Sequence, residues 1–349
     1  MEKKKNILSM QLDVSDFLPA NEEEKQSLVV MRESVNFWRD GLRRFRKNKI
    51  AMTSLFVIIL IMIFAFIMPN FYPYSYEQQV RGSENLAPME YSDEELARIA
   101  AGENVFPHIL GTDSLGRDTM VRLMMGSRIS LLVGIIASAL VLLIGSLYGT
   151  IAGYFGGKVD LVMMRIVDII YTVPDILIII LLMVTLKYPL QNLANNVEGF
   201  GWINTIGVGL ICIFIVFSLL YWVSMARIVR SQILTIKEQE FVTAAKALGA
   251  SHARIIKKHL LTNVMGTLIV TSTLQIPSAI FTESFLSFMG IGVAAPMPSL
   301  GSMATMAIDG VYSYPYRLLA PAIMISLIIL SFNLLGDGLR DAFDPKLKN

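Results

Sequence analysis

Charge is scarce in this chain. Asp, Glu, Lys and Arg make up 17% of its 349 residues while 54% are hydrophobic, and the mean hydropathy is +0.56. An ordinary water-soluble domain carries about 25% charged residues, so composition excludes a chain bathed in water along its whole length. Cysteine is rarer still. The single Cys212 excludes an intramolecular disulfide and a cysteine-rich metal centre, and its place inside an apolar run marks it as a small buried hydrophobe. Neither sign of charge dominates: the net charge is +2, so bulk electrostatics says little about partners, and no nucleic-acid partner is expected.

Catalytic patterns are missing as well. The phosphate-cradling Gly-x-x-x-x-Gly-Lys-Ser/Thr loop does not occur, and the nearest string, Gly156-Gly157-Lys158-Val159, lacks both spacing and hydroxyl. His108, His252 and His259 are scattered and form no His-Glu-x-x-His motif. The chain is therefore expected not to be an enzyme, with no catalytic, cofactor or metal residues of its own. The basic start Met1–Lys5 is not followed by an apolar stretch of the kind a signal peptide needs.

What the chain has in quantity is long uncharged runs. A helix rising about 1.5 Å per residue needs roughly 20 apolar residues to cross a hydrocarbon core about 30 Å thick. These runs, with one further apolar stretch (164–186) that contains two aspartates, place helices near 50–68, 129–153, 164–186, 204–226, 264–289 and 317–336, an all-α polytopic membrane protein with six spans. The stretch 284–308, interrupted by Pro296 and Pro298, reads as the end of the fifth span followed by a structured outer loop. Pro174 and Pro277 fall inside spans, where the missing N–H kinks a helix. Gly145, Gly149 and Gly153 repeat at four-residue spacing, a pattern that lets helices approach closely.

Basic residues orient the bundle. With the N-terminus inside, inner segments hold 23 Lys and Arg against 7 outside, the bias expected of cytoplasmic N- and C-termini in a cell membrane. The organisation is then a cytoplasmic tail 1–49, a first span 50–68, an extracytoplasmic loop 69–128, a core 129–336 containing a cytoplasmic loop 232–262, and a tail 337–349. Trp38, Leu42 and Phe45 recur at helical spacing among Arg39, Arg43, Arg44, Arg46, Lys47 and Lys49. They suggest an interfacial helix on anionic lipid, or equally a plain stop-transfer cluster of charge.

Charges inside spans are costly and invite a functional reading. Asp175 and Glu283 are candidates for pathway lining or for packing between helices; Asp168, near an inner end beside Arg165, reads as a helix-end or interhelical group.

The cytoplasmic loop between the fourth and fifth spans is the most informative segment. Residues 240–248 are strong helix formers with Phe241, Ala244, Ala245 and Leu248 assigned to one face; Gly249 supplies a left-handed stop and Ser251 a cap for a second helix. The product is helix, sharp turn, helix. It fits either a surface for a partner or an amphipathic loop resting on the membrane.

This loop resembles the coupling loop of ABC importer permeases, Glu-Ala-Ala, three residues, Gly, nine residues, Ile-x-Leu-Pro. Ala244, Ala245, Gly249 and Leu261 match; Thr243, His259 and Thr262 depart from it. Four further blocks, Leu110–Asp118, Ala152–Gly157, Glu283–Gly292 and Asn333–Pro345, resemble in order the C-type permeases of dipeptide and oligopeptide importers. The resemblance implies a type I importer permease fold and one of two homologous permease subunits in the lipid bilayer. It also implies two ABC ATPase subunits that hold ATP and Mg, an extracytoplasmic peptide-binding protein, and a peptide substrate, preferably an oligopeptide. Glu240, Phe241, Ala244, Ala245, Lys246, Leu248, Gly249 and Ala250 would form the ATPase-coupling segment. Related systems for nickel or antimicrobial peptides, and a stand-alone secondary transporter, are the alternatives.

Overall fold

A computed structural model describes residues 37–293 and 297–343. Most of the first tail, 1–36, and the end of the second, 344–349, lie outside the described residues. Regular structure among the described residues is helical, apart from one isolated bridge between Thr112 and Asp118.

The chain enters through a short helix α1 (Phe37–Lys47) and, after the Asn48 cap, the first long helix α2 (Lys49–Phe66). Asn48 Oδ1 accepts from the backbone N–H of Ile50 and of Ala51 at 3.1 and 3.2 Å, satisfying donors that the helix start would otherwise leave open. Of the apolar stripe read on α1, Phe45 turns inward against Ala51 and Ala342, while Trp38 and Leu42 stay exposed. Outside the bundle, residues 71–118 form a folded cap with its own helix α3 (Asp93–Ala100), started by a Ser92/Glu95 capping box.

The second long helix, α4 (Thr119–Phe155), begins ten residues earlier than its uncharged run suggests. Arg122 and Arg128 lie within it: Arg122 bonds protein groups in the cap, and Arg128 reaches the Ala65 and Phe66 carbonyls at 2.9 and 3.1 Å. The third span needs a correction. The expected helix 164–186 is broken at Val173–Pro174 into α5 (Gly157–Thr172) and α6 (Asp175–Asn196). Val173 adopts an extended backbone (ψ 137°), as a residue preceding proline tends to. Pro174 therefore divides two helices instead of kinking one. The chain continues through α7 (Trp202–Ile206), α8 (Val208–Leu220), α9 (Trp222–Lys237), α10 (Glu240–Ala247), α11 (His252–Arg254), a π-turn at Ile255–Leu260, α12 (Leu261–Phe288), α13 (Leu300–Ile308) and α14 (Tyr316–Phe343).

Among the described residues six helical runs are long and apolar enough to cross a membrane: Lys49–Asn70, Thr119–Phe155, Asp175–Asn196, Val208–Lys237, His252–Phe288 and Tyr316–Phe343. At the centre, α4 packs along α9 and α12, and α14 packs on α12 and α2. The glycine series explains the closest of these approaches. A Cβ on Gly145 would lie 2.6 Å from Met225 Cβ, one on Gly149 would strike the Ala226 carbonyl, and one on Gly153 would lie 3.0 Å from the Arg230 carbonyl. Hydrogen at these three positions is what lets α4 and α9 lie backbone against backbone.

Candidate functional site

Two places toward the end of the bundle opposite the cap carry polar or partner-seeking chemistry: the turn after α9 and a cleft between α9 and α12.

The turn is built around α10 and Gly249. Leu248 N–H closes the helix on the Ala244 carbonyl at 3.0 Å, Gly249 follows at φ +79°, and Ala250 N–H returns to the Ala245 carbonyl at 3.0 Å. This is a left-handed C-terminal stop, which glycine tolerates and β-branched residues do not. Ser251 Oγ then accepts from Arg254 N–H at 3.4 Å to start the next helix. The π-turn at Ile255–Leu260 buries its first and last residues, Ile255 and Leu260, against Val242, Val229 and Ile233. Val242 and Ala245 form the inner face of α10. The inward turn of Ala245 corrects the face expected from sequence, because it parts from Phe241, Ala244 and Leu248. Phe241 is 43% exposed and Leu248 89% exposed, so the tip presents two large apolar side chains outward. Glu240, Lys246 and Gly249 surround them on the exposed side and Ala250 is half-buried.

Aromatic and ionic ties bind this knuckle to the bundle. The Tyr154 hydroxyl meets His252 Nδ1 at 2.6 Å, linking the end of α4 to the start of the fifth span, and Lys237 Nζ donates to the Gly153 carbonyl at 2.9 Å. Arg230 holds Asp160 of α5 through both Nε and Nη2 at 2.5 Å.

The second feature was not singled out from sequence. Thr267, Thr271, Gln275 and Ser278 fall at spacings of four, four and three on α12, one helical face, and line two adjoining clefts. One, of about 560 Å³, also takes Gln232 and Arg340. The other, about 170 Å³, takes Asp175, Ser224 and Tyr221. The signal was present as a periodic run of hydroxyl and amide residues in the fifth span, but such residues are nearly neutral in a hydropathy scan. Asp175, expected in mid-span, is instead the exposed first residue of α6 at the rim of the smaller cleft.

Glu283 is placed differently. It is fully buried and accepts from Ser130 and Ser287 at 2.8 Å and from Ser284 at 3.3 Å. Ser287 in turn accepts from Val293 N–H at 3.0 Å. The carboxyl group thus joins α4, α12 and the following turn, and sits away from both clefts. Asp168 pairs with Arg227 of α9 at 2.8 Å, an exposed interhelical contact with a partner other than Arg165.

A six-span helical bundle with an apolar knuckle at one end and a polar furrow between its helices is a multi-pass membrane transport component. Comparison with known proteins gives the family. Residues 145–349 match the family described as binding-protein-dependent transport system inner membrane component, and residues 36–88 match the N-terminal TM domain of oligopeptide transport permease C. The chain is 41% identical over 332 residues to the oligopeptide transport system permease protein OppC of Bacillus subtilis, covering 95% of this chain and 97% of that one. It is likewise 41% identical to the dipeptide transport system permease protein DppC of the same organism (95% and 93% covered), and 37% identical to OppC of Escherichia coli strain K12 (90% and 93%). The chain belongs to the family of binding-protein-dependent transport system inner membrane components, and its fold is that of a type I importer permease.

Proposed function

We propose that this chain is the permease subunit of an ATP-driven peptide importer, forming half of the translocation pathway and receiving force through its α10 knuckle. The observation that carries the mechanism is the outward pair Phe241 and Leu248, held on a turn that Gly249 closes. An exposed apolar tip on a short rigid helix is the kind of feature that seats in a groove of a partner. The partner in this reading is one of two ABC ATPase subunits, which bind ATP and Mg; this chain contributes no catalytic group.

Both termini are assigned to the cytoplasm, which puts the knuckle on the same side as the ATPases and residues 71–118 outside, facing a peptide-binding protein. Closure of the ATPase pair displaces α10. The Tyr154–His252 and Lys237–Gly153 bonds pass that displacement to the inner ends of α4, α9 and α12, tilting them as packed bodies. The row Thr267, Thr271, Gln275 and Ser278 is this chain's contribution to the pathway, and a second, homologous permease subunit supplies the opposite wall. Hydroxyl and amide groups suit a peptide of varied sequence, since they pair with backbone amides without selecting a side chain. The names of the relatives favour oligopeptides or dipeptides over nickel as cargo.

The test is reconstitution in vesicles with the sister permease, the peptide-binding protein and the ATPase chains. Uphill peptide accumulation should require the ATPases. Sustained accumulation in their absence would overturn the reading in favour of a gradient-driven transporter.

A further inference from the structure

At the outer end of the bundle three buried arginines meet a single acid. Arg117, Arg122 and Arg317 are 4%, 2% and 8% exposed. Asp113 lies 2.7 Å from Arg117 and 3.5 Å from Arg122, and among the described residues it is the one acid in ion-pair range of any of the three. Three positive charges against one negative leave a cationic excess out of contact with bulk water, a costly arrangement unless an anion joins it.

Arg317, near the start of α14, shows where an anion fits. Its Nη1 donates to Asn85 Oδ1 at 2.7 Å and its guanidinium lies 4.1 Å from the Tyr314 ring centroid. Its Nε and Nη2 are buried and have no partner among the described residues. These two nitrogens form the side-on edge of the guanidinium, the edge that grips two oxygens of one carboxylate or phosphate in parallel. The Thr119 hydroxyl, on a residue 3% exposed, is also without a partner among the described residues. Arg317, Thr119 and Arg122 line one cleft with Asp113, Met303 and Met306, and it holds about 30 Å³ of free space. A single water needs roughly 10–15 Å³ measured in this way, so there is room for a pair of oxygens and little else.

We propose that this cleft is an oxyanion site: a group presenting two oxygens, a carboxylate or a phosphate, seats in the Arg317 fork with the Thr119 hydroxyl and Arg122 as further donors. Water could satisfy the donors but would leave the charge excess. The site lies at the outer ends of α4 and α14, the level of lipid headgroups, so the oxygens come from a phospholipid phosphate or from a soluble anion outside the cell. This inference does not depend on what the pathway carries.

The full chain, purified in a neutral detergent and washed free of lipid, should show a thermal midpoint that rises saturably with sodium phosphate or sodium acetate at constant ionic strength. Arg317→Lys keeps the charge but loses the fork, and should weaken half-saturation about tenfold or more. Thr119→Val should weaken it less, in the same direction, and keeps the test decisive if the lysine variant fails to fold. Repeating the titration in phospholipid vesicles separates the sources. A response that persists there identifies a soluble anion; one that vanishes there, while present in detergent, identifies the headgroup. Absence of a saturable response in delipidated wild type, or equal half-saturation in wild type and Thr119→Val, overturns the proposal.

Discussion

The two ends of this molecule are held in opposite ways. The outer cap is bolted by buried polar bonds. His108, 2% exposed, lies 2.7 Å from Asp118 through Nδ1 and 3.1 Å from Glu95 through Nε2. Asp118 also caps α4 by accepting from Val121 N–H at 2.9 Å and meets the Tyr72 hydroxyl at 3.4 Å. The α10 helix of the knuckle packs through apolar side chains, Val242 against Ile255 and Leu260, with polar ties at its flanks, and presents more apolar surface outward. Polar networks fix one geometry because breaking any member strands the rest. Apolar contacts lack direction and tolerate small sliding, which suits an element that must shift against the bundle. In the proposed mechanism the cap serves as a fixed frame and the knuckle as the part that moves.

Removing the bolt is the severest way to break that contrast. Asp118→Ala deletes a helix cap and leaves His108 and Tyr72 facing an apolar methyl, for a loss of about 3 kcal/mol. Denaturant unfolding in detergent reads it, and a change below about 1 kcal/mol would mean the cap is not held as described. Asp118→Asn should recover part of the loss, since its side-chain oxygen can still cap α4.

Protonation tests the same bolt more gently. Burial pushes the His108 pKa down, but the bond to Asp118 and the charges of Asp118 and Glu95 outweigh it and raise it above the usual 6.5. A group raised on folding stabilises fully below its unfolded value, and its contribution is lost as pH climbs through the raised one. The cap should therefore loosen on going from pH 6 to above neutrality. Tyr74, stacked on His108 with centroids 4.3 Å apart, is pushed up to about 12 by burial and then by Glu95 and Asp118, so it remains neutral across this range. Amide exchange across residues 92–118, corrected for intrinsic rate, is the measurement. Equal protection at pH 6 and 9, or the same pH dependence in His108→Gln, would remove His108 from the account.

These long-range bonds also explain what the sequence could and could not disclose. Spans are legible because lipid demands a local property, a long apolar run, and each of the six stretches was marked by one, the third in spite of its two aspartates. The break at Pro174 was not, because hydropathy registers neither a missing N–H nor the extended preference of Val173. Ala245 was placed on the wrong face because alanine suits either side of a short helix. The turn at Gly249 could be read, since positive φ after a helix has a residue signature. The clasp of Glu95, His108 and Asp118 could not: partners 10 and 13 residues apart across a folded loop leave no period to detect. The polar row on α12 has the right period but too little contrast with its apolar neighbours to stand out.

At the inner end the effects on stability shrink while those on transport grow. Gly249→Val forces a β-branched residue to φ +79°, a strain of about 1–2 kcal/mol. No atom of the described residues lies within 4 Å of the added Cβ, so the cost is backbone strain without a clash, and it stays local to the turn. The thermal midpoint should fall only slightly, yet peptide uptake should drop severely because the tip is re-aimed. Uptake at the wild-type rate would show that the turn does not transmit force.

Leu248→Ser is the sharpest of these comparisons because the fold should hardly notice it. Leu248 is 89% exposed, and surface substitutions of this sort change stability by about 0.5 kcal/mol or less. If Leu248 anchors α10 in an ATPase groove, truncating it removes an interfacial contact of about 2 kcal/mol, roughly a thirtyfold loss in docking. Co-purification of the ATPase chains and ATP-dependent uptake should then both fall in a protein with an unchanged midpoint. Val242→Ser makes the complementary change on the buried face of the same helix, and should lower the midpoint by loosening the knuckle from Ile255 and Leu260. A knuckle that only rests on lipid would give the reverse order: Leu248→Ser would leave ATPase retention intact, and the apolar tip would have to be explained by the membrane alone.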